Sequence, residues 1–288
     1  MDQKVYELAV TCRLSSPEKM GLIKGVILNQ GISLNEIVEL QAQGKTRLLI
    51  YGRTYSQYLV IQNKIRSLPI KGLQLKARKL KKKDWQTKYL EDFKPFEIVK
   101  GTMIIPSWVR KKKFSNKKRI YLETGLAFGT GLHPTTQLMA GFIKRCEGRF
   151  KRFLDVGTGT GILSLIALKC GAQTIEAIDI SEDAIKTASK NFKINQCFSG
   201  VARKCHLEKL PVKNTSDFVA ANLITHDLIE NAKKLVRLVS PLQYLAISGI
   251  QAHNYHRCYG IYRKLKMRCL KVEKKEGWVA FLFRKPPG

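Results

Sequence analysis

From Phe153 to Gly161 the chain reads Phe-Leu-Asp-Val-Gly-Thr-Gly-Thr-Gly, and Ile175-Glu-Ala-Ile-Asp179 follows soon after. An apolar strand runs into a turn with glycines at 157, 159 and 161; a helix starts at once, and a second strand ends on an acid. Only glycine lets a backbone turn this sharply while coming this close to a ligand. Asp179 lies 22 residues beyond Gly157, about the ~20-residue separation at which a carboxylate after the second strand reaches ribose hydroxyls. The pattern predicts a nucleoside-bearing cofactor held on a Rossmann-like α/β sheet.

The spacing narrows the cofactor. Ile162 stands where a dinucleotide fingerprint needs its third glycine to serve a pyrophosphate. The one Gly-Lys-Thr run, Gly44-Lys45-Thr46, has Glu39 where a phosphate-binding P-loop needs its first glycine, and no Lys-Ser or Lys-Thr pair directly follows the glycines at 157, 159 and 161, which argues against a P-loop. A glycine-rich turn in some other α/β protein stays open. G-x-G-x-G followed by an acid resembles the first motif of class I methyltransferases dependent on S-adenosylmethionine (SAM), a cofactor without phosphate.

Around this centre the periodicities predict two domains. Residues 4–13, 33–41, 45–52 and 72–78 read as strands and residues 17–30 and 57–68 as helices, in the order βαββαβ of a small ferredoxin-like α+β domain over residues 1–78. This domain carries no catalytic constellation and is expected to recognise a substrate. Residues 79–100, charged and containing Pro95, read as a basic linker. Residues 101–288 read as the α/β domain: strands at 103–108 and 119–123, helices at 134–146, 162–170 and 182–195, and strands at 174–179, 217–223 and 244–250. A terminal hairpin at 268–273 and 278–284 closes it. Ser181, Glu182 and Asp183 suit a helix N-terminus.

A hydrophobic fraction of 44% suits a chain that buries a core, and no run approaches the ~20 apolar residues of a membrane span. The first residues lack the pattern of a signal peptide. Seven cysteines without a C-x-x-C pair fit free thiols in a reducing compartment. A soluble, cytoplasmic protein is expected, and a monomer. The net charge is +30. Between residues 76 and 119 stand 16 basic and 4 acidic residues, against 6 and 5 in the first fifty. That stretch suits either an anionic partner such as RNA or a plain solvated surface. His253 and His256 with Cys258 lack a fourth ligand, so no metal is expected.

Four further stretches carry a closer resemblance. Asp84-Trp85 leads through Phe93-Lys-Pro-Phe96 to Ile105-Pro-Ser-Trp108; then comes Gly125-Leu-Ala-Phe-Gly-Thr-Gly131 with His133-Pro-Thr-Thr136; then Ala221-Asn-Leu-Ile224; and last Ser248-Gly-Ile250. In this order, around the glycine-rich turn, they resemble the PrmA family, closely from about residue 84 and over the N-terminal domain in architecture only. The resemblance implies a seven-stranded class I methyltransferase domain. It also implies transfer of methyl groups from SAM to lysine, and possible N-terminal, amines of the eleventh large-subunit ribosomal protein. By the same resemblance Thr136, Gly157, Gly159, Gly161, Asp179 and Asn222 bind SAM. Gly125, Phe128, Gly129, Thr130 and Gly131 form a loop over it, and Asn222 orients the acceptor nitrogen. His133 is expected to make a structural hydrogen bond, and Pro134 suits a first helical turn.

Thr225-His226-Asp227 departs from the smaller, less polar residues usual in the family. Two other readings therefore stand beside the first. One keeps the chemistry and changes the target, to lysines of the β subunit of electron-transfer flavoprotein. The other is a catalytically silent RNA- or ribosome-binding module.

Overall fold

The computed structural model describes residues 5–13, 17–28, 30, 37–42, 45–52, 55–70, 72–80, 94–109, 117–123, 129–212 and 215–287. The chain divides into two compact units, residues 1–93 and 94–288.

The first unit has β1 (Val5–Arg13), α1 (Pro17–Leu28), β2 (Ile37–Ala42), β3 (Lys45–Gly52), α2 (Tyr55–Arg66) and β4 (Gln74–Leu80). The strands form one antiparallel sheet in the order β2-β3-β1-β4, the ferredoxin-like arrangement. Leu8 and Val10 alternate onto one face with Leu48 and Ile50, and meet Ile23 and Ile27 of α1 and Ile61 and Ile65 of α2. Period 2 on the strands and period 4 on the helices put these aliphatic side chains on facing sides, where Met20 and Tyr58 join them.

The second unit opens with a three-stranded sheet of β5 (Phe96–Val99), β6 (Thr102–Pro106) and β7 (Lys118–Leu122), with β7 at an edge and parallel to β6. Phe96–Val99 was expected to be linker and is a strand. Of the expected linker, residues 81–93 lie outside the described residues.

Then follow α3 (Pro134–Arg145), β8 (Arg152–Val156), α4 (Ile162–Lys169), β9 (Thr174–Asp179), α5 (Glu182–Ile194), β10 (Gly200–Lys204) and β11 (Ser216–Asn222). The chain ends with α6 (Thr225–Glu230), α7 (Ala232–Leu238), β12 (Val239–Gln251), α8 (Tyr255–Lys264), β13 (Arg268–Lys275) and β14 (Trp278–Arg284). The seven-stranded sheet runs β10-β9-β8-β11-β12-β14-β13, parallel except around β14. This is the class I methyltransferase fold. Strand order reverses between β8 and β11, and ligands of open α/β sheets bind beyond the carboxyl ends of strands at such a point.

One sheet face buries Leu154, Val156, Val219, Ala221, Leu245 and Ile247. On the other face Phe153 stands in register with Phe218, and Phe218 with Tyr244. The Phe153 and Phe218 rings stack at 5.4 Å. Helix α4 ends in a Schellman motif: the Ala172 N–H reaches the Ala167 carbonyl and the Gly171 N–H that of Leu168, with Gly171 at φ +102°. Helix α5 starts on Ser181, whose hydroxyl accepts from the Ala184 N–H. No helix among the described residues is long and apolar enough to cross a membrane.

Candidate active site

The glycine-rich turn leaves β8 with Gly157, Gly159 and Gly161 at φ +72°, +54° and +80°. All three lie in the left-handed region that L side chains rarely adopt. At two of them space is closed as well. A Cβ on Gly157 would stand 2.4 Å from Leu223 Cδ2, and one on Gly161 would stand 2.8 Å from Phe192 Cε1. The turn is pinned to β9 by the Gly157 and Thr158 N–H groups, both donating to the Ile178 carbonyl.

Asp155, the acid inside the motif, lies beneath the turn and is 1% exposed. Its Oδ2 accepts from Thr158 Oγ1 at 2.8 Å, Ser164 Oγ at 2.7 Å and the Ser164 N–H at 3.2 Å. Burial pushes its carboxyl up to about 6 against the pull of these bonds, and its Oδ1 has no partner among the described residues. Asp179, at the end of β9, holds the Gly159 N–H with Oδ2 at 3.0 Å and the Ser181 N–H with Oδ1 at 2.9 Å. The expected ribose acid therefore also braces the turn. Each oxygen keeps a second lone pair for a ligand.

His133 is the N-cap of α3, with Pro134 in its first turn; Nδ1 accepts from the Thr135 N–H and lies 2.8 Å from Thr135 Oγ1. Its ring meets that of Trp278 edge-on at 5.1 Å. Thr136, in the same first turn, is 1% exposed, and its hydroxyl has no hydrogen-bond partner among the described residues. Buried hydroxyls are nearly always paired, so this one marks a place where a partner belongs. Of the expected loop, Gly125 and Phe128 lie outside the described residues. Gly129 and Gly131 take φ +108° and +86°. A Cβ on Gly129 would crowd Thr160 Oγ1 at 2.8 Å, and one on Gly131 would crowd Ile162 Cδ1 at 2.8 Å. This part of the loop thus lies directly against the glycine-rich turn, with Thr130 between the two glycines.

Asn222 ends β11 beside Ser248 of β12. It is partly exposed, and its side-chain amide has no hydrogen-bond partner among the described residues. The Leu223 N–H continues the ladder to the Ser248 carbonyl at 3.1 Å. There Gly249, at φ +93°, passes so close that a Cβ would lie 1.8 Å from the Leu223 carbonyl oxygen. The fold thus gathers Thr136, Gly157, Gly159, Gly161, Asp179 and Asn222 at the carboxyl edge of one sheet. It also gives roles to residues that carried none in the sequence: Asp155, Thr160, Gly249, and the buried Asn191 and Asn195 of α5.

A family model described as ribosomal protein L11 methyltransferase (PrmA) matches residues 26–286. The chain belongs to the PrmA family. The match reaches back through most of the ferredoxin-like unit, further than the motifs alone indicated. Similar PrmA proteins include the ribosomal protein L11 methyltransferase of Ruminiclostridium cellulolyticum, 32% identical over 70% of this chain and 65% of that protein. That of Actinobacillus pleuropneumoniae is 37% identical over 62% of this chain and 60% of its own length. These alignments take in no more than about two thirds of the relatives' length. A solved structure, the ribosomal protein L11 methylase of Lactobacillus delbrueckii subsp. bulgaricus, is 26% identical, with a TM-score of 0.62 over 67% of this chain and 99% of that one.

Proposed function

We propose that this chain transfers methyl groups from SAM to amines of a protein, and that its substrate is the ribosomal protein for which its relatives are named. The observations that carry this reading are the buried Thr136 hydroxyl, without a hydrogen-bond partner among the described residues, three left-handed glycines, and Asp179 bonded to the middle one. That donor set suits SAM: a hydroxyl for its amino-acid end, close-approach backbone along its middle, and a carboxylate for its ribose. SAM supplies a methyl group already activated on a sulfonium centre.

The chain's own residues then have two tasks. One is to hold the acceptor amine in line, which confines it to about 3–3.5 Å from the carbon it attacks. The other is to present it neutral, since a lysine with pKa ~10.4 is protonated in water and has no free lone pair. The Asn222 carbonyl oxygen can accept an N–H of the amine and fix its direction. Removing water from around the amine lowers its pKa. The displacement asks for no strong base on the chain, and water takes the proton.

The target, the methylated residues and a site of action near ribosomal RNA belong to the same proposal. The excess of basic residues between 76 and 119 supports the RNA part, and seven free cysteines support work in the cytoplasm. The test is labelled SAM added, with the purified protein, to lysate of a strain lacking it, followed by mass spectrometry of the labelled band. Label in the eleventh large-subunit protein supports the proposal. Label in electron-transfer flavoprotein β subunit replaces the target, and label on RNA alone overturns a protein target. Calorimetry showing no SAM binding near millimolar concentration favours a silent module.

A further inference from the structure

Helix α5 places Asn191 and Asn195 one turn apart, 0% and 8% exposed. Both face β7. Asn195 Oδ1 accepts from the Tyr121 N–H at 2.8 Å, and its Nδ2 donates to the Tyr121 carbonyl at 2.6 Å. Asn191 repeats the pattern two residues along the chain: Oδ1 accepts from the Glu123 N–H at 2.8 Å and Nδ2 donates to the Glu123 carbonyl at 2.7 Å. The spacings match because four helical residues rise about 6 Å and two strand residues about 6.6 Å. The two carboxamides thus replace the missing neighbour of an edge strand.

Here the two asparagines part. Asn195 spends its remaining donor on the Asn191 carbonyl of its own helix. Asn191 spends its own on the Thr160 carbonyl, at 2.9 Å, inside the glycine-rich turn. That carbonyl falls just outside the helical ladder of α4, since the Leu165 N–H goes to Gly161 and the Ser164 N–H to Asp155. The Thr160 hydroxyl in turn donates to the Gly129 carbonyl at 2.7 Å. One buried side chain therefore ties Glu123 to the turn, and the turn's own threonine ties in Gly129.

We propose that Asn191, acting with the Thr160 hydroxyl, is a positioning residue that sets the glycine-rich turn for its cofactor. This rests on the reading of the site as a SAM site. Asn195 serves as the internal control, with the same helix, the same strand and no bond to the turn. The test compares Asn191→Asp, Asn195→Leu and the parent full-length protein by calorimetry with S-adenosylhomocysteine. Thermal melts and amide hydrogen exchange of the unliganded proteins at Gly159 and Gly161 accompany it. Asn191→Asp keeps the shape but turns an oxygen toward two carbonyls. It should raise Kd at least about tenfold (about 1.4 kcal/mol) and speed exchange at both glycines. Asn195→Leu should lower Tm and leave Kd within about twofold. Parent-like Kd and exchange in Asn191→Asp, or equal Kd shifts in both variants, overturn the proposal. If Asn191→Asp does not fold, Thr160→Val and Thr160→Ser decide: binding lost in the first and restored in the second supports it, and unchanged binding in Thr160→Val overturns it. A parent that binds no S-adenosylhomocysteine overturns the SAM reading instead, and the exchange of the unliganded variants then judges Asn191 alone.

Discussion

Replacing Gly249 by alanine should harm catalysis far beyond its effect on stability. Two costs separate cleanly here. The first is the backbone: Gly249 sits at φ +93°, and an L residue held at such angles costs about 1–2 kcal/mol. The second is the collision, because the new Cβ would lie 1.8 Å from the Leu223 oxygen and 2.7 Å from the Leu223 carbonyl carbon. Ordinary contact begins near 3.4 Å, so the Leu223 peptide must retreat by roughly 1.5 Å or β12 must buckle. Retreat breaks the bond from the Leu223 N–H to Ser248, worth about 1 kcal/mol. It also drags Asn222, and a displacement of about 1 Å at a reacting group costs ~10²-fold in rate. Gly171→Ala isolates the first cost. It has φ +102°, and the nearest atoms to its Cβ are 3.9 Å away. Urea melts should show a loss of about 1–2 kcal/mol for Gly171→Ala and about 2–3 kcal/mol for Gly249→Ala. Methyl transfer to the purified ribosomal protein should fall about 100-fold in Gly249→Ala and stay near the parent rate in Gly171→Ala. Equal activity in the two variants refutes the argument.

Thr136→Val removes a buried hydroxyl that has no partner among the described residues. Tm should hold or rise, while S-adenosylhomocysteine binds about 2–12-fold more weakly, the worth of one ordinary hydrogen bond; unchanged affinity removes Thr136 from the site. Asn222→Ala should lower kcat about 10²-fold and move cofactor Kd much less, and unchanged turnover ends its assigned role. Asp155 gives a pH signature. Its folded pKa, raised to about 6, exceeds the unfolded ~3.9, so the folded state binds the proton more tightly. The resulting stabilisation is complete below about pH 4 and disappears as pH rises through about 6. About two pKa units correspond to about 3 kcal/mol as an upper figure. The stability of the parent relative to Asp155→Asn should therefore drop by about 2–3 kcal/mol between pH 4 and pH 8, and a flat difference refutes the burial argument.

What was legible in the sequence was local. The strand–turn–helix around Gly157–Gly161 declares itself because the glycines, the apolar strand and the apolar helix all fall within seventeen residues, 153–169. The terminal hairpin was legible too, since alternation flanks Glu276-Gly277, both at positive φ. Strands β5 and β10 were not. Phe96–Val99 is four residues long and follows a proline. Gly200–Lys204 is an edge strand whose side chains are mostly exposed, with Val201 60% exposed, so neither shows a clean period. Helices α6 and α7, of six and seven residues, are too short for a period to register. Gly249 was quoted only as part of a motif, because the reason for it lies 26 residues away at Leu223. Asn191 and Asn195 were hidden for the opposite reason: asparagine on an amphipathic helix reads as a solvent-facing residue. Only the adjacent edge of β7 shows that two carboxamides four apart can form rungs of a sheet.

The same hydrogen-bonding demand explains why the site is built from side chains of five separate elements. Three left-handed glycines take the turn out of any regular ladder, and each exposed peptide group then needs a partner from elsewhere. Asp155 serves the Ser164 N–H at the helix start, Asp179 the Gly159 N–H, and Asn191 the Thr160 carbonyl. The price of burying an acid is visible at Asp155, where the oxygen without a partner accompanies a raised pKa. Beside the Asp155 oxygen, Thr136 and Asn222 stand out as side chains with no hydrogen-bond partner among the described residues. One is buried at a helix start and the other ends the strand at the switch point. A frame that braces its turn with these side chains and leaves those two open suits the proposed function, in which Thr136 would meet the cofactor and Asn222 the acceptor.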